Sequence, residues 1–260
     1  MVSQAALAGL ALSFLVSLIA PFAVYFVLRR RMTLSWRNIA VGAGMFVLFA
    51  LVLEQALHYF VLKANPATSA WMKTHVWAFA AYGALAAGVF EETGRYVGMR
   101  FLVRPTGNPG TATAYGLGHG GLETLLIGAL AQLSAIAMAL ALNVGMLDAM
   151  LGTKLPPAAI AMVHNQLVHL TFPIAALGSL ERLIALALQI ALSVLVWRAV
   201  ELRKAWLYLA AIVFHAGADT GAALLQAHFV TSVIVVEGWA FAVLIALVLF
   251  LRLTPRPAPV

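Results

Sequence analysis

Three apolar stretches of the chain each carry two polar side chains four residues apart, a spacing that places both on one face of a helix. The pairs are Glu91 with Arg95, His119 with Glu123, and His215 with Asp219. A further carboxylate, Glu92, stands beside the first pair. Ionisable groups are costly within apolar helices and commonly mark functional sites there, so the three stretches predict such a site.

These residue types are sufficient for hydrolysis by activated water. A carboxylate beside a histidine can take a proton from water while the imidazole positions that water. A second histidine, with a polar group one turn away, can donate hydrogen bonds to a developing oxyanion. An arginine one turn from the carboxylate would orient it and keep it ionised. Together they predict a glutamate-based hydrolase that forms no covalent intermediate.

The positions of the three groups along their apolar runs predict that they lie at one height. Glu91 precedes Arg100, at the end of its run, by nine residues. His119 lies about seven residues into its run and His215 about ten. At 1.5 Å per helical residue, all three fall within a few Å of one level. Three helices are therefore expected to present their polar groups to one shared site.

Composition identifies the elements that must position these groups. Of the 260 residues, 63% are hydrophobic and only 10% are charged, against about 25% charged residues in soluble domains. Runs of about 20 apolar residues predict spanning helices, and hence an all-α polytopic membrane bundle of about seven transmembrane helices. The runs are about 5–28, 39–62, 76–99, 112–141, 180–199, 205–228 and 232–252. The connection 142–179 is predicted to be an extramembrane or interfacial loop with a short helix.

No polar block of domain size divides the chain, which predicts one integral membrane domain over 1–260 with a catalytic core at about 76–228.

The net charge of +7 indicates topology rather than nucleic-acid binding, because the basic residues flank apolar runs. Eleven of them are predicted to be cytoplasmic: Arg29, Arg30, Arg31, Arg37, Arg100, Arg104, Arg198, Arg203, Lys204, Arg252 and Arg256. Four are predicted to lie outside: Lys63, Lys73, Lys154 and Arg182, the last beside Glu181 at the start of the fifth run. This asymmetry predicts an outer N-terminus, a retained first span and a cytoplasmic C-terminus.

Two other functions fit part of the pattern. Glu91, His119 and His215 could bind zinc with water in the fourth position, although no His-Glu-x-x-His helix is present and the absence of cysteine excludes thiolate ligands. Buried Glu, His and Arg residues also mark proton pathways, so a proton-coupled transporter or a membrane scaffold remains an alternative. Transporters commonly contain repeated halves, and none is evident here.

The motifs resemble those of the glutamic intramembrane proteases, a superfamily that includes CAAX-prenyl endopeptidases and bacterial CPBP proteins. They are Glu-Glu-x-x-Arg at 91–95, Tyr115 separated by three residues from His119, and His-x-x-x-Asp at 215–219. The variants Glu-Glu-Thr-Gly-Arg-Tyr and Gly-His-Gly-Gly-x-Glu are most similar to the YhfC-like branch. The resemblance covers about residues 85–225. It implies an intramembrane endopeptidase, without a cofactor, that acts on a membrane-embedded or lipid-anchored polypeptide.

The resemblance also implies roles for individual residues. Glu91 would be the general base, His119 would hold the water, and His215 with Asp219 would stabilise the oxyanion. Glu92 and Arg95 would be supporting residues. Two positions depart from the superfamily pattern: two residues rather than three separate Glu92 from Arg95, and Asp219 stands where many relatives have asparagine. The first departure leaves open which glutamate faces the histidines, and the four-residue spacing to Arg95 favours Glu91.

Two further expectations concern Glu123 and location. Glu123 is expected to support the site or to pair with Arg95, with catalysis as the less favoured role. The basic-residue pattern places the site toward the cytoplasmic side, and the chain as a whole is expected in a bacterial cytoplasmic membrane.

Overall fold

The structure is a computed structural model that describes residues 1–103, 108–152 and 154–257, and these residues form helices and connections without strands. The helices are α1 Gln4–Leu28, α2 Trp36–Ala64, α3 Pro66–Thr74, α4 Val76–Val97, α5 Pro109–Asn143, α6 Leu147–Leu151, α7 Pro157–Val168, α8 Phe172–Glu201, α9 Ala205–Gln226 and α10 Val233–Leu253. Wider π-helical turns occur within α2, at Val47–Glu54 and Phe60–Ala64, within α5, at Thr124–Ala129, and directly after α4, at Gly98–Leu102.

Six of these helices are long and apolar enough to cross a membrane: α1, α2, α5, α8, α9 and α10. The seventh predicted span corresponds to α4, whose 22 residues extend about 33 Å. Glu91, Glu92 and Arg95 lower its hydropathy, as expected for a helix that contributes to a polar centre. The all-α membrane fold is therefore confirmed. The orientation of the termini stays a prediction, and Arg104 and residues 258–260 lie outside the described residues.

The connection 142–179 is more helical than predicted. It contains α6 and α7, and α8 begins at Phe172, eight residues before the predicted start of the fifth run. Pro173 does not prevent this early start, because the first turn of a helix does not need the N–H that proline lacks. Glu181 and Arg182 therefore lie inside α8 rather than at its beginning, which corrects their predicted position.

One compact unit consists of Met1–Ala20 and Glu123–Leu183. Its apolar core includes Val2, Leu10 and Leu147. Polar contacts join its helices. The Ser13 hydroxyl donates to the Ala175 carbonyl oxygen over 2.7 Å, and the Asn143 side chain pairs with both backbone groups of Val2.

A second compact unit consists of Pro21–Leu122 and Ile184–Val260. Its core includes the buried side chains Met45, Tyr115 and Leu207. Glycine permits direct backbone contact between its helices: a β-carbon at Gly118 would lie only 1.9 Å from the Ile39 carbonyl oxygen. The glycines around His119 thus permit close approach of neighbouring helices. The single-domain assignment stays a prediction.

Candidate active site

The polar centre of the second unit is built on α4. Glu91 is 8% exposed, and Glu92 and Arg95 are fully buried. α4 lies against α9 at Gly88, one turn before the glutamates, where an added β-carbon would be 2.9 Å from the Ile212 carbonyl oxygen. Since consecutive helical residues point about 100° apart, the two glutamates reach different partners.

Glu91 faces both predicted histidines. Its Oε2 lies 2.8 Å from Nε2 of His119 on α5 and 3.8 Å from Nε2 of His215 on α9. It also accepts a hydrogen bond from Nε2 of Gln189 on α8 over 3.2 Å. Four helices therefore converge on one carboxylate oxygen.

Glu92 contacts the other ring nitrogen of His215 and Arg95. Its Oε1 accepts a hydrogen bond from Nδ1 of His215 over 2.6 Å and another from Nη1 of Arg95. The two ring nitrogens of His215 are therefore divided between the glutamates, with Nδ1 on Glu92 and Nε2 toward Glu91. A histidine held at one nitrogen by a carboxylate has a fixed ring orientation and presents the other nitrogen to the site.

Arg95 joins the two glutamates to a residue that the sequence reasoning missed. Its Nη2 donates to Oε1 of Gln189 and lies 3.6 Å from Oε2 of Glu91. Gln189 is 3% exposed. The available signal was a lone amide in the otherwise apolar run of α8, because an amide in an apolar helix needs hydrogen-bond partners.

Asp219 lies at the accessible edge of the centre. Its Oδ2 is 3.4 Å from Nε2 of His215, and its side chain is 39% exposed, against 2% for His215. His119 is similarly enclosed at 1%, and its Nδ1 has no hydrogen-bond partner. Asp219 is therefore the most exposed side chain among the predicted catalytic residues.

Glu123 has a charged partner other than the one considered from sequence. It ends the first segment of α5, one turn after His119, and belongs to the first compact unit. Within that unit, Nη1 of Arg182 lies 3.9 Å from Oε1 of Glu123. Arg182 also contacts Glu181. The charge of Glu123 is thus balanced by Arg182.

The donor set has the chemistry of a zinc site as well as of a water-activating base. Carboxylate oxygens and imidazole nitrogens are common zinc ligands. Glu91, His119 and His215 supply donors of these types, with Oε2 of Glu91 2.8 Å and 3.8 Å from Nε2 of the two histidines. The contact of Glu92 with the far nitrogen of His215 matches the support that metal-binding histidines usually receive. The residues therefore fit a metal ion.

Fold and site together define a polytopic membrane protein with a buried carboxylate–histidine centre. The family model described as "YhfC intramembrane metalloprotease" matches residues 14–240, and the chain belongs to this family. A Bacillus subtilis (strain 168) protein described as "Uncharacterized membrane protein YhfC" is 36% identical over 237 residues, which are 91% of this chain and 92% of that protein. No solved structure matches.

Family membership confirms the resemblance found in the motifs. The matched span includes all the residues of the centre. The description of the family supports a membrane peptidase as the class of this chain. It also supports the metal-dependent alternative.

Proposed function

We propose that the chain is an intramembrane endopeptidase that hydrolyses a peptide bond in a membrane-embedded or membrane-anchored polypeptide. The observation that carries the proposal is the position of Glu91, whose Oε2 is buried between His119 at 2.8 Å and His215 at 3.8 Å. A proton acceptor and two imidazoles within hydrogen-bond or one-water reach meet the geometric requirement for general acid–base catalysis.

In this mechanism Glu91 removes a proton from water while the water oxygen bonds to the scissile carbonyl carbon. His119 positions Glu91 and the water, and His215 with Asp219 stabilises the negative oxygen that develops. Cleavage of the C–N bond then transfers the proton held by Glu91 to the leaving nitrogen. Glu92 holds the His215 ring so that its Nε2 faces the reacting groups.

A metal-dependent version of the same reaction is the alternative, and the description of the family supports it. Glu91, His119 and His215 would hold the ion. When bound, zinc would polarise the carbonyl oxygen and make water more acidic. Glu92 retains its function in this version, because it fixes the ring of a metal-binding histidine.

Cleavage of a panel of membrane-anchored peptides by the purified protein tests the proposal. We expect cleavage by the wild type and none by Glu91→Gln or His119→Ala, with substrate still bound by Glu91→Gln. Glu54→Gln is a matched control, because Glu54 is a buried carboxylate that contacts His58 rather than the centre. If Glu91→Gln and His119→Ala both cleave like the wild type, the hydrolase function is refuted.

The same preparation distinguishes the two versions. Activity that survives strong chelators in protein containing no zinc favours the glutamic mechanism. Loss of activity on chelation, with about one zinc per chain in the active preparation, favours the metal version. A membrane scaffold would instead keep its biological effect in the Glu91→Gln variant, because a scaffold does not require Glu91 to abstract a proton.

A further inference from the structure

We propose that Gln189 is a positioning residue that assigns different tasks to the two adjacent glutamates. It keeps Arg95 beside Glu92 and directs Glu91 to His119. The inference rests on the proposed peptidase function and adds to it a residue outside the three motifs.

The amide of Gln189 bridges two groups of opposite charge. Its Nε2 donates to Oε2 of Glu91 over 3.2 Å, and its Oε1 accepts from Nη2 of Arg95. An arginine can only donate and an ionised carboxylate can only accept. A side chain between them must therefore do both, which an amide does without adding charge.

The aliphatic part of the Gln189 side chain, Cβ and Cγ, is also fixed, by close packing against α5. A β-carbon at Gly120 would lie 2.5 Å from Cβ of Gln189 and 3.1 Å from its Cγ, so the backbone of α5 packs directly on this stem. Gln189 itself is 3% exposed. This close packing restricts the side-chain rotamer and fixes the position of the amide.

The neighbouring distances indicate what the amide prevents. Arg95 is hydrogen-bonded to Glu92, whereas its Nη2 remains 3.6 Å from Oε2 of Glu91. Without the amide oxygen, Nη2 loses its acceptor and Glu91 is the nearest described carboxylate other than Glu92. A direct Arg95–Glu91 hydrogen bond would occupy the oxygen that faces His119. The variant would bind substrate normally but activate water poorly.

The test replaces Gln189 with methionine, which has similar length and no hydrogen-bonding amide. We expect kcat to fall about 10–100-fold, the usual loss for a supporting partner of an active-site ligand or base, with KM unchanged. Gln189→Glu should lose more, since its charge repels Glu91. Ser193→Ala is the matched control: Ser193 is fully buried one turn along α8 and hydrogen-bonds the Gln189 carbonyl oxygen instead of the glutamates.

A second measurement is independent of substrate. In protein with ¹⁵N-labelled histidine, Gln189→Met should shift the ring signals of His119, and Ser193→Ala should leave them in place. A kcat within twofold of the wild type, or unchanged ring signals in a folded Gln189→Met variant, overturns the positioning role alone. Absence of Glu91-dependent cleavage in the wild type overturns the peptidase function and this role together.

Discussion

Gly88 is the residue at which α4 approaches α9 closely beside the polar centre. A β-carbon there would lie 2.9 Å from the Ile212 carbonyl oxygen and 3.2–3.3 Å from backbone and side-chain atoms of Ala216. Ordinary contacts begin at 3.4 Å, so Gly88→Ala must separate α4 from α9 by about 0.5 Å. The Glu92–His215 hydrogen bond, 2.6 Å long, crosses this same interface one turn away.

These distances set the expected losses of stability and of catalytic rate in Gly88→Ala. Forcing an extra methyl group into a packed contact costs about 1–3 kcal/mol. A displacement of 1 Å at a catalytic centre can cost about 100-fold in rate, so about 0.5 Å corresponds to about tenfold. Gly83→Ala is the matched control, because Gly83 lies on the same helix and an added β-carbon meets nothing within 4 Å. Both variants gain the same helix propensity of alanine over glycine.

Denaturant unfolding in detergent and kcat for peptide cleavage measure the two effects. Relative to Gly83→Ala, we expect Gly88→Ala to unfold with about 1–3 kcal/mol less free energy and to cleave about tenfold more slowly. Equal stability and equal kcat in the two variants would refute the inference that close approach at Gly88 aligns the glutamates with His215.

Three further outcomes are expected. Glu92→Gln should lower kcat about 10–100-fold with little change in KM, because a neutral amide holds the His215 ring less firmly; steady-state kinetics measure this, and an unchanged kcat contradicts it. Asp219→Asn should retain more activity than Asp219→Ala, because the amide can still hydrogen-bond His215; if the two lose activity equally, that contact is unimportant. Since the chain contains no cysteine, Arg31→Cys and Lys154→Cys should be labelled by an impermeant maleimide from opposite sides of the membrane. Labelling of both variants from the same side contradicts the predicted topology.

The spanning helices could be predicted because hydropathy is a local property. Uninterrupted apolar runs located seven helices, and α4 retained its length although its charges lower its hydropathy. The start of α8 could not be predicted in the same way. Its first turns include Pro173 and continue through the charged pair Glu181–Arg182. Neither feature is apolar, so hydropathy alone placed the start of the helix too late.

The candidate site likewise has features that could be predicted from local sequence and features that could not. The four-residue spacing was enough to predict that Glu91 shares a helical face with Arg95, because that spacing is internal to one helix. Similar spacing arguments predicted His119 and His215 as site residues, and the motifs around them identified the family.

The partners of these groups could be identified only from the packed helices. It placed Nδ1 of His215 on Glu92 and brought Gln189 to Glu91, and neither contact has a signature in spacing. The physical reason is that the rotation and separation of packed helices depend on contacts distant in sequence, such as Gly88 against Ile212. A helical period specifies a face, whereas packing specifies what that face touches.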